Sequence, residues 1–99
     1  MENVLIISSS KNASEVLSNF MKESFRCGIR TAETSYQAKN ILDSVPSIEL
    51  AVINSPLTDE SGAGLAEYII ENTSAYCILI IKAELAEKHM DRFGKSGII

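Results

Sequence analysis

The chain has 99 residues, of which 45% are apolar and 22% charged, a balance typical of soluble globular domains that excludes disordered and collagen-like chains. Its net charge of −4 includes no cluster of Lys or Arg, so we expect no direct contact of this segment with nucleic acid, which draws on clustered positive charge. The longest apolar runs are too short to cross a bilayer and the first residues lack the basic start of a secretory signal, which predicts a cytoplasmic protein without membrane contact.

The first half of the chain reads as strand, helix and strand. Residues 4–7 form a continuous apolar run, the pattern of a strand that is buried on both faces. Asn12, followed by Glu15, resembles a capping-box start of a helix, and Gly28 is placed to end it. Residues 29–32 predict a weaker strand at a sheet edge. The apolar positions with helical period, which we expect to face inward, are Ala13, Val16, Leu17, Phe20, Met21 and Phe25.

The second half repeats this alternation. Thr34 or Ser35 can cap a second helix, which Pro46 stops. Its inward positions are Ala38, Ile41, Leu42 and Val45. The remaining predicted elements are a strand at 50–53, a polar loop at 54–62, a helix at 63–72, a strand at 77–81, a helix at 84–93 and a strand that starts at 98–99.

Strand and helix therefore alternate without a hairpin signal. This order predicts an α/β fold with an open parallel sheet and helices on both faces, built as a single domain over residues 1–99. Such a sheet needs a helix after its last strand, and the sequence stops two residues into that strand. We expect either a piece of a longer polypeptide or a partner that supplies the missing cover.

The sequence offers little for catalysis or metal binding. Cys27 and Cys77 form no CxxC motif, and His89 is the only histidine, so zinc is not supported. The chain has no GxSxG, Walker or GxGxxG motif. We expect no enzyme activity, no metal and no cofactor, with both cysteines acting as buried small hydrophobes. A redox switch between the two thiols is a weaker alternative.

The chain resembles the receiver domains of two-component response regulators. The resemblance is carried by residues 4–9, 49–62, 80–83 and 94–99. It implies a flavodoxin-like fold with strand order 2-1-3-4-5, truncated before the end of the fifth strand, so that the last helix is missing.

The same resemblance implies a degenerate receiver pocket. Ser8 and Ser9 occupy the positions of the two magnesium-binding carboxylates, and Asn54 occupies that of the phosphate-accepting aspartate. An amide cannot form an acyl phosphate, and neutral hydroxyls bind magnesium feebly. Lys82 corresponds to the switch Ser or Thr. It either acts as a permanent cation beside the pocket or extends to water at the strand end.

The loop near this pocket is similar to that of one particular class of regulators. Pro56, Asp59 and Glu60 lie in a Pro-Leu-x-Asp-Glu-x-Gly sequence that is similar to loops of ANTAR-type antiterminator regulators, which append an RNA-binding helical domain. Because Ser61 and a helix start follow, we expect Asp59 and Glu60 to cap the third helix. A metal-binding role for the two carboxylates is the minor alternative.

Two functions stay open on the sequence alone. The first is a non-phosphorylated pseudo-receiver of a two-component-type regulatory protein, acting through a protein partner or as a homodimer to control an output domain. The alternative is a flavodoxin-like module that binds a phosphate-bearing small molecule or flavin at residues 8–12, where hydroxyls and free N–H groups open a helix.

Overall fold

The computed structural model describes residues 3–81, which form four strands and three helices. The expected helix at 84–93, the fifth strand and Lys82 lie outside these residues. In chain order the elements are β1 (Asn3–Ser8), α1 (Lys11–Phe25), β2 (Gly28–Ala32), α2 (Ser35–Ser44), β3 (Leu50–Asn54), α3 (Gly62–Asn72) and β4 (Tyr76–Ile80).

The four strands form one parallel sheet in the order β2-β1-β3-β4. This order confirms the predicted flavodoxin-like arrangement over the strands that the structure describes. Parallel neighbours in an open sheet need helical crossovers, and these crossovers place helices on both faces.

Two apolar clusters hold the helices to the sheet. Alternate residues of β1 point to opposite faces, so Leu5 and Ile7 pack with α2 and α3 while Val4 and Ile6 pack with α1. All four side chains are fully buried. The continuous apolar run of β1 therefore follows from its central position, covered on both sides.

The ends of α1 differ from the prediction. The N-cap is Ser10, whose hydroxyl accepts from the backbone N–H of Ala13, and not Asn12. The C-cap is Arg26, which adopts a left-handed conformation with φ of 49°. Gly28 does not end the helix, because it is already the first residue of β2 and pairs in register with Asn3.

Helix α1 also exposes more apolar side chains to solvent than predicted. Val16, Phe20 and Phe25 were expected to face inward, but their exposed fractions are 68%, 60% and 48%. The helix packs on β1 and β2, and Met21 is its only buried residue. An apolar groove of about 340 Å³ runs beside α1, between Val16 and Ile80 of β4.

Among the described residues, no helix is both long and apolar enough to cross a membrane.

Candidate functional site

The carboxyl ends of β1 and β3 bring two of the predicted pocket residues side by side. Ser8 is the last residue of β1 and Asn54 the last of β3, and the sheet register pairs them directly. Both lie on the same strand face as the residues that pack against α1, since Ser8 follows Val4 and Ile6 at even spacing. Ligand sites of open α/β sheets form at this rim.

Ser8 uses its whole hydrogen-bonding capacity within the protein. Its hydroxyl donates to the carbonyl oxygen of Ser10 at 3.2 Å. The same oxygen accepts from the backbone N–H of Ser10 and from the side-chain amide of Asn54, both at 3.1 Å. One donor and two acceptor positions are all that a hydroxyl has, so this buried side chain is saturated by neutral neighbours.

Ser9 lies at the border of the rim and does not join this network. It is exposed, and its hydroxyl donates to the carbonyl oxygen of Pro56 at 3.4 Å. This contact fastens the loop after β1 to the loop after β3. The rim therefore contains the predicted Ser8 and Asn54 in direct contact, with Ser9 and Pro56 bridging its outer edge. Lys82, the fourth predicted residue of the pocket, lies outside the described residues.

Asp59 and Glu60 do not cap the third helix as predicted. The N-cap of α3 is Ser61, whose hydroxyl accepts from the backbone N–H of Gly64 at 3.0 Å. Asp59 instead accepts from the backbone N–H groups of Ser35 and Tyr36 at the start of α2, at 2.8 and 3.0 Å. These hydrogen bonds, that from Ser35 first, hold the pKa of the Asp59 carboxyl below its ordinary value.

Glu60 also points to α2. It accepts from the hydroxyl of Ser35 and forms an ion pair with Lys39 at 3.0 Å. The Lys39 ammonium lies 4.7 Å from the centre of the Tyr68 ring on α3, within the range of a cation–π contact. Ser35, Lys39 and Tyr68 were not predicted as members of this cluster, and of the three only Ser35, a hydroxyl at a helix start, gave a signal in the sequence.

The donor set at the rim suits neither phosphoryl transfer nor tight metal binding. Proteins bind magnesium mainly through anionic carboxylate oxygens, whereas the paired side chains at the rim are a neutral hydroxyl and a neutral amide. Within residues 3–81, no group of three or more His, Cys, Asp or Glu side chains is placed to hold a metal ion.

A close approach at the start of α3 fixes the loop that borders the rim. A Cβ atom on Gly62 would lie 2.8 Å from the Cβ of Ser55 and 3.0 Å from a methyl group of Leu79. Only glycine lets the helix start this close to the end of β3. Ser55 is further held by the hydrogen bond from its backbone N–H to the carbonyl oxygen of Ile80, at 2.9 Å.

The two cysteines lie in different parts of the molecule. Cys27 precedes β2 and packs in the cluster under α1, whereas Cys77 of β4 is buried in the cluster under α2 and α3. Since β2 and β4 are the two outer described strands, three strand spacings of about 4.8 Å separate them. That distance is too long for a disulfide, and burial raises the pKa of the Cys77 thiol to about 12.

Comparison with solved structures identifies the fold. The chain superposes on an uncharacterized protein from Neptuniibacter caesariensis with a TM-score of 0.88 and 16% identity, covering 98% of this chain and 71% of that one. A response regulator receiver domain from Clostridium thermocellum gives 0.86 and 13%, over 98% and 78% of the two chains. A chain of the complex between the P1 domain of CheA3 and CheY6 from R. sphaeroides gives 0.76 and 14%, over 99% and 80%.

No protein-family model matches the sequence, and no curated protein does so. Strand order, helix placement and these superpositions together define the class: the described residues have the flavodoxin-like fold of response regulator receiver domains. Within that fold, the carboxyl rim of the sheet contains Ser8 and Asn54.

Proposed function

We propose that this chain is a non-phosphorylated pseudo-receiver module of a two-component-type regulatory protein. It is no enzyme, and it acts in the cytoplasm through protein–protein contact to control an output domain. The observation that carries this proposal is the hydrogen bond between Asn54 and Ser8, which joins two neutral side chains at the rim. An amide has no anionic oxygen to attack a phosphoryl donor, and a saturated hydroxyl has no lone pair left for magnesium.

Phosphorylation in vitro tests this proposal. The chain is incubated with acetyl phosphate and magnesium and run on a phosphate-affinity gel, where we expect no shifted band. A triple variant, S8D/S9D/N54D, restores the three acids and serves as the matched comparison. A modified band from the unsubstituted chain would contradict the proposal, since it would require an acceptor other than a restored aspartate.

Self-association is the mode of contact that this proposal favours. Val16 and Phe20 stand one turn apart on the exposed face of α1, and the first turn of that helix contains no acidic residue. In an antiparallel pair of α1 helices from two copies, Glu23 of one copy would lie beside the positive N-terminal end of the other. This complementarity supports a homodimer over an unrelated partner.

The output that we propose is of the ANTAR type. The support is the loop sequence around Pro56, Asp59 and Glu60, as described above. The gene sequence beyond codon 99 tests this part: a helical linker followed by a small RNA-binding helical bundle is the expected result. A DNA-binding domain at that place would contradict it.

The alternative function is binding of a phosphate-bearing small molecule by residues 8–12. Ser10 satisfies the N–H of Ala13, and Ser8 satisfies the N–H of Ser10, so the loop already pairs donors that such a ligand would need. Thermal denaturation with flavin mononucleotide separates the two functions. A raised melting temperature would favour the alternative, and an unchanged one the pseudo-receiver.

A further inference from the structure

The start of α2 is capped by a residue from another loop. Thr34 accepts from the backbone N–H of Gln37 at 3.1 Å, which satisfies one of the helix's unpaired donors. Asp59, which is at least 23 residues away in sequence, accepts from the two N–H groups before that of Gln37, those of Ser35 and Tyr36. One carboxylate thus joins the loop after β3 to the first turn of α2 through two charge-assisted hydrogen bonds.

Glu60 strengthens the same junction. It binds the hydroxyl of Ser35, which is only 1% exposed, and pairs with Lys39 one turn further along α2. Lys39 in turn lies over the ring of Tyr68 on α3. Two adjacent carboxylates therefore connect one loop to two helices, and we call this set of contacts around Asp59 and Glu60 the latch.

The other end of this loop borders the rim. Pro56 accepts from the Ser9 hydroxyl, Ser55 donates to Ile80, and Leu57 is buried in the core. The segment from Ser55 to Glu60 is thus fastened to the loop after β1, to β4 and to α2. A short segment fixed at both ends cannot shift at one end without straining the other.

We infer that the latch couples the first turn of α2 to the carboxyl rim of the sheet, so that an event at either place changes the stability of the other. Coupling between two sites is reciprocal by thermodynamic necessity. Tyr36, whose side chain is 70% exposed, makes the first turn of α2 accessible to a protein that would act on the rim through this route. The coupling does not depend on whether the rim is phosphorylated.

Amide hydrogen exchange of D59N tests the coupling from one side. Asparagine keeps one acceptor oxygen but turns an NH₂ group toward a backbone N–H, so we expect exchange at Ser35 and Tyr36 to rise about tenfold. The coupling further requires faster exchange at Ser55, by about fivefold. E71Q, which neutralises an exposed acid of α3, is the matched control and is expected to change none of these amides.

The variant S9A tests the coupling from the other side. It removes the exposed hydroxyl that holds Pro56, and we expect faster exchange at Ser35 and Tyr36, which it does not touch. S24A, at an exposed serine of α1, is the control, and the amide of Ile6 reports global unfolding in every variant. If D59N leaves Ser55 unchanged, or S9A leaves Ser35 and Tyr36 unchanged, Asp59 is a local cap and the inference is wrong.

Discussion

At the scale of single residues, burial separates Ser8 from the two serines that follow it. Ser8 is 1% exposed and makes three hydrogen bonds, whereas Ser9 and Ser10 are exposed. The three hydroxyls are alike in sequence and differ only because Ser8 still belongs to the central strand. Its removal would leave the amide of Asn54 and the N–H of Ser10 without their acceptor.

We therefore expect S8A to lower the free energy of unfolding by about 1–3 kcal/mol, because buried donors lose their partner. S9A, one residue away on the surface, should stay within about 0.5 kcal/mol of the unsubstituted chain. Urea denaturation of both variants gives the comparison. Equal effects of the two substitutions would show that the Ser8 network contributes nothing of its own.

The lowered pKa of Asp59 makes the stability of the fold depend on pH in the acid range. Its hydrogen bonds to Ser35 and Tyr36 hold its folded-state pKa below the ordinary value of 3.8, so folding favours the charged form. The resulting stabilisation is complete well above pH 3.8 and is lost as the pH falls through the folded-state pKa. In D59N this part of the acid dependence should disappear. Urea midpoints measured from pH 6 down to pH 2.5 give the test, and parallel curves for both proteins would contradict it.

At the scale of the elements, the sequence predicted the order of strands and helices but not where α1 ends. Gly28 is the better left-handed residue, yet it is needed in β2, where it pairs with Asn3. The helix must then stop earlier, and Arg26 takes the left-handed conformation. A helix end is thus set by the register of the neighbouring strand, which a single sequence does not show.

Replacing Arg26 by glycine should consequently stabilise the protein. A left-handed conformation disfavours residues that have a Cβ, and glycine is the usual residue at such a helix end. We expect R26G to raise the free energy of unfolding by about 0.5–1 kcal/mol. R30G, in the adjacent strand, should lower it, because glycine weakens a strand. Thermal denaturation of both variants distinguishes these signs.

The exposure of α1 and the partners of Asp59 and Glu60 were predicted wrongly for the same physical reason. The helical period of α1 marks Val16 and Phe20 as apolar but cannot tell how much of the helix the sheet covers. Likewise, Asp59 and Glu60 precede α3 in sequence, so a local cap was the natural expectation. Their partners Ser35 and Lys39 lie more than 20 residues earlier. Local patterns predict elements, whereas contacts between elements depend on the assembled fold.

At the scale of the whole molecule, the described sheet is covered unequally. The face toward α2 and α3 holds the larger apolar cluster, while on the other face α1 leaves Ile80 and Tyr76 of β4 exposed. Ile80 and Val16 line the same apolar groove beside α1, and Phe20 is exposed one turn beyond Val16 on the helix. Such areas are typical of contact surfaces.

If this face joins two copies, F20D should shift the protein from dimer to monomer, because it places a charge in an apolar contact. N40D, which adds the same charge at an exposed position of α2, is the matched control and should leave the mass unchanged. Light scattering across a concentration series measures both. A chain that is monomeric at all concentrations would rule out self-association, while the separate proposal that the chain is not phosphorylated would still stand.

The paired hydroxyl and amide at the rim also limit which single substitutions the rim can accept. An aspartate introduced only at position 54 would remove the amide N–H group that donates to the Ser8 hydroxyl. An aspartate introduced only at position 8 would bury a carboxylate without a counter-ion. Neither change alone would assemble the three-acid metal site. A path from this neutral pair to three acids would therefore lead through single substitutions that each give up stabilising contacts and supply no metal site in return.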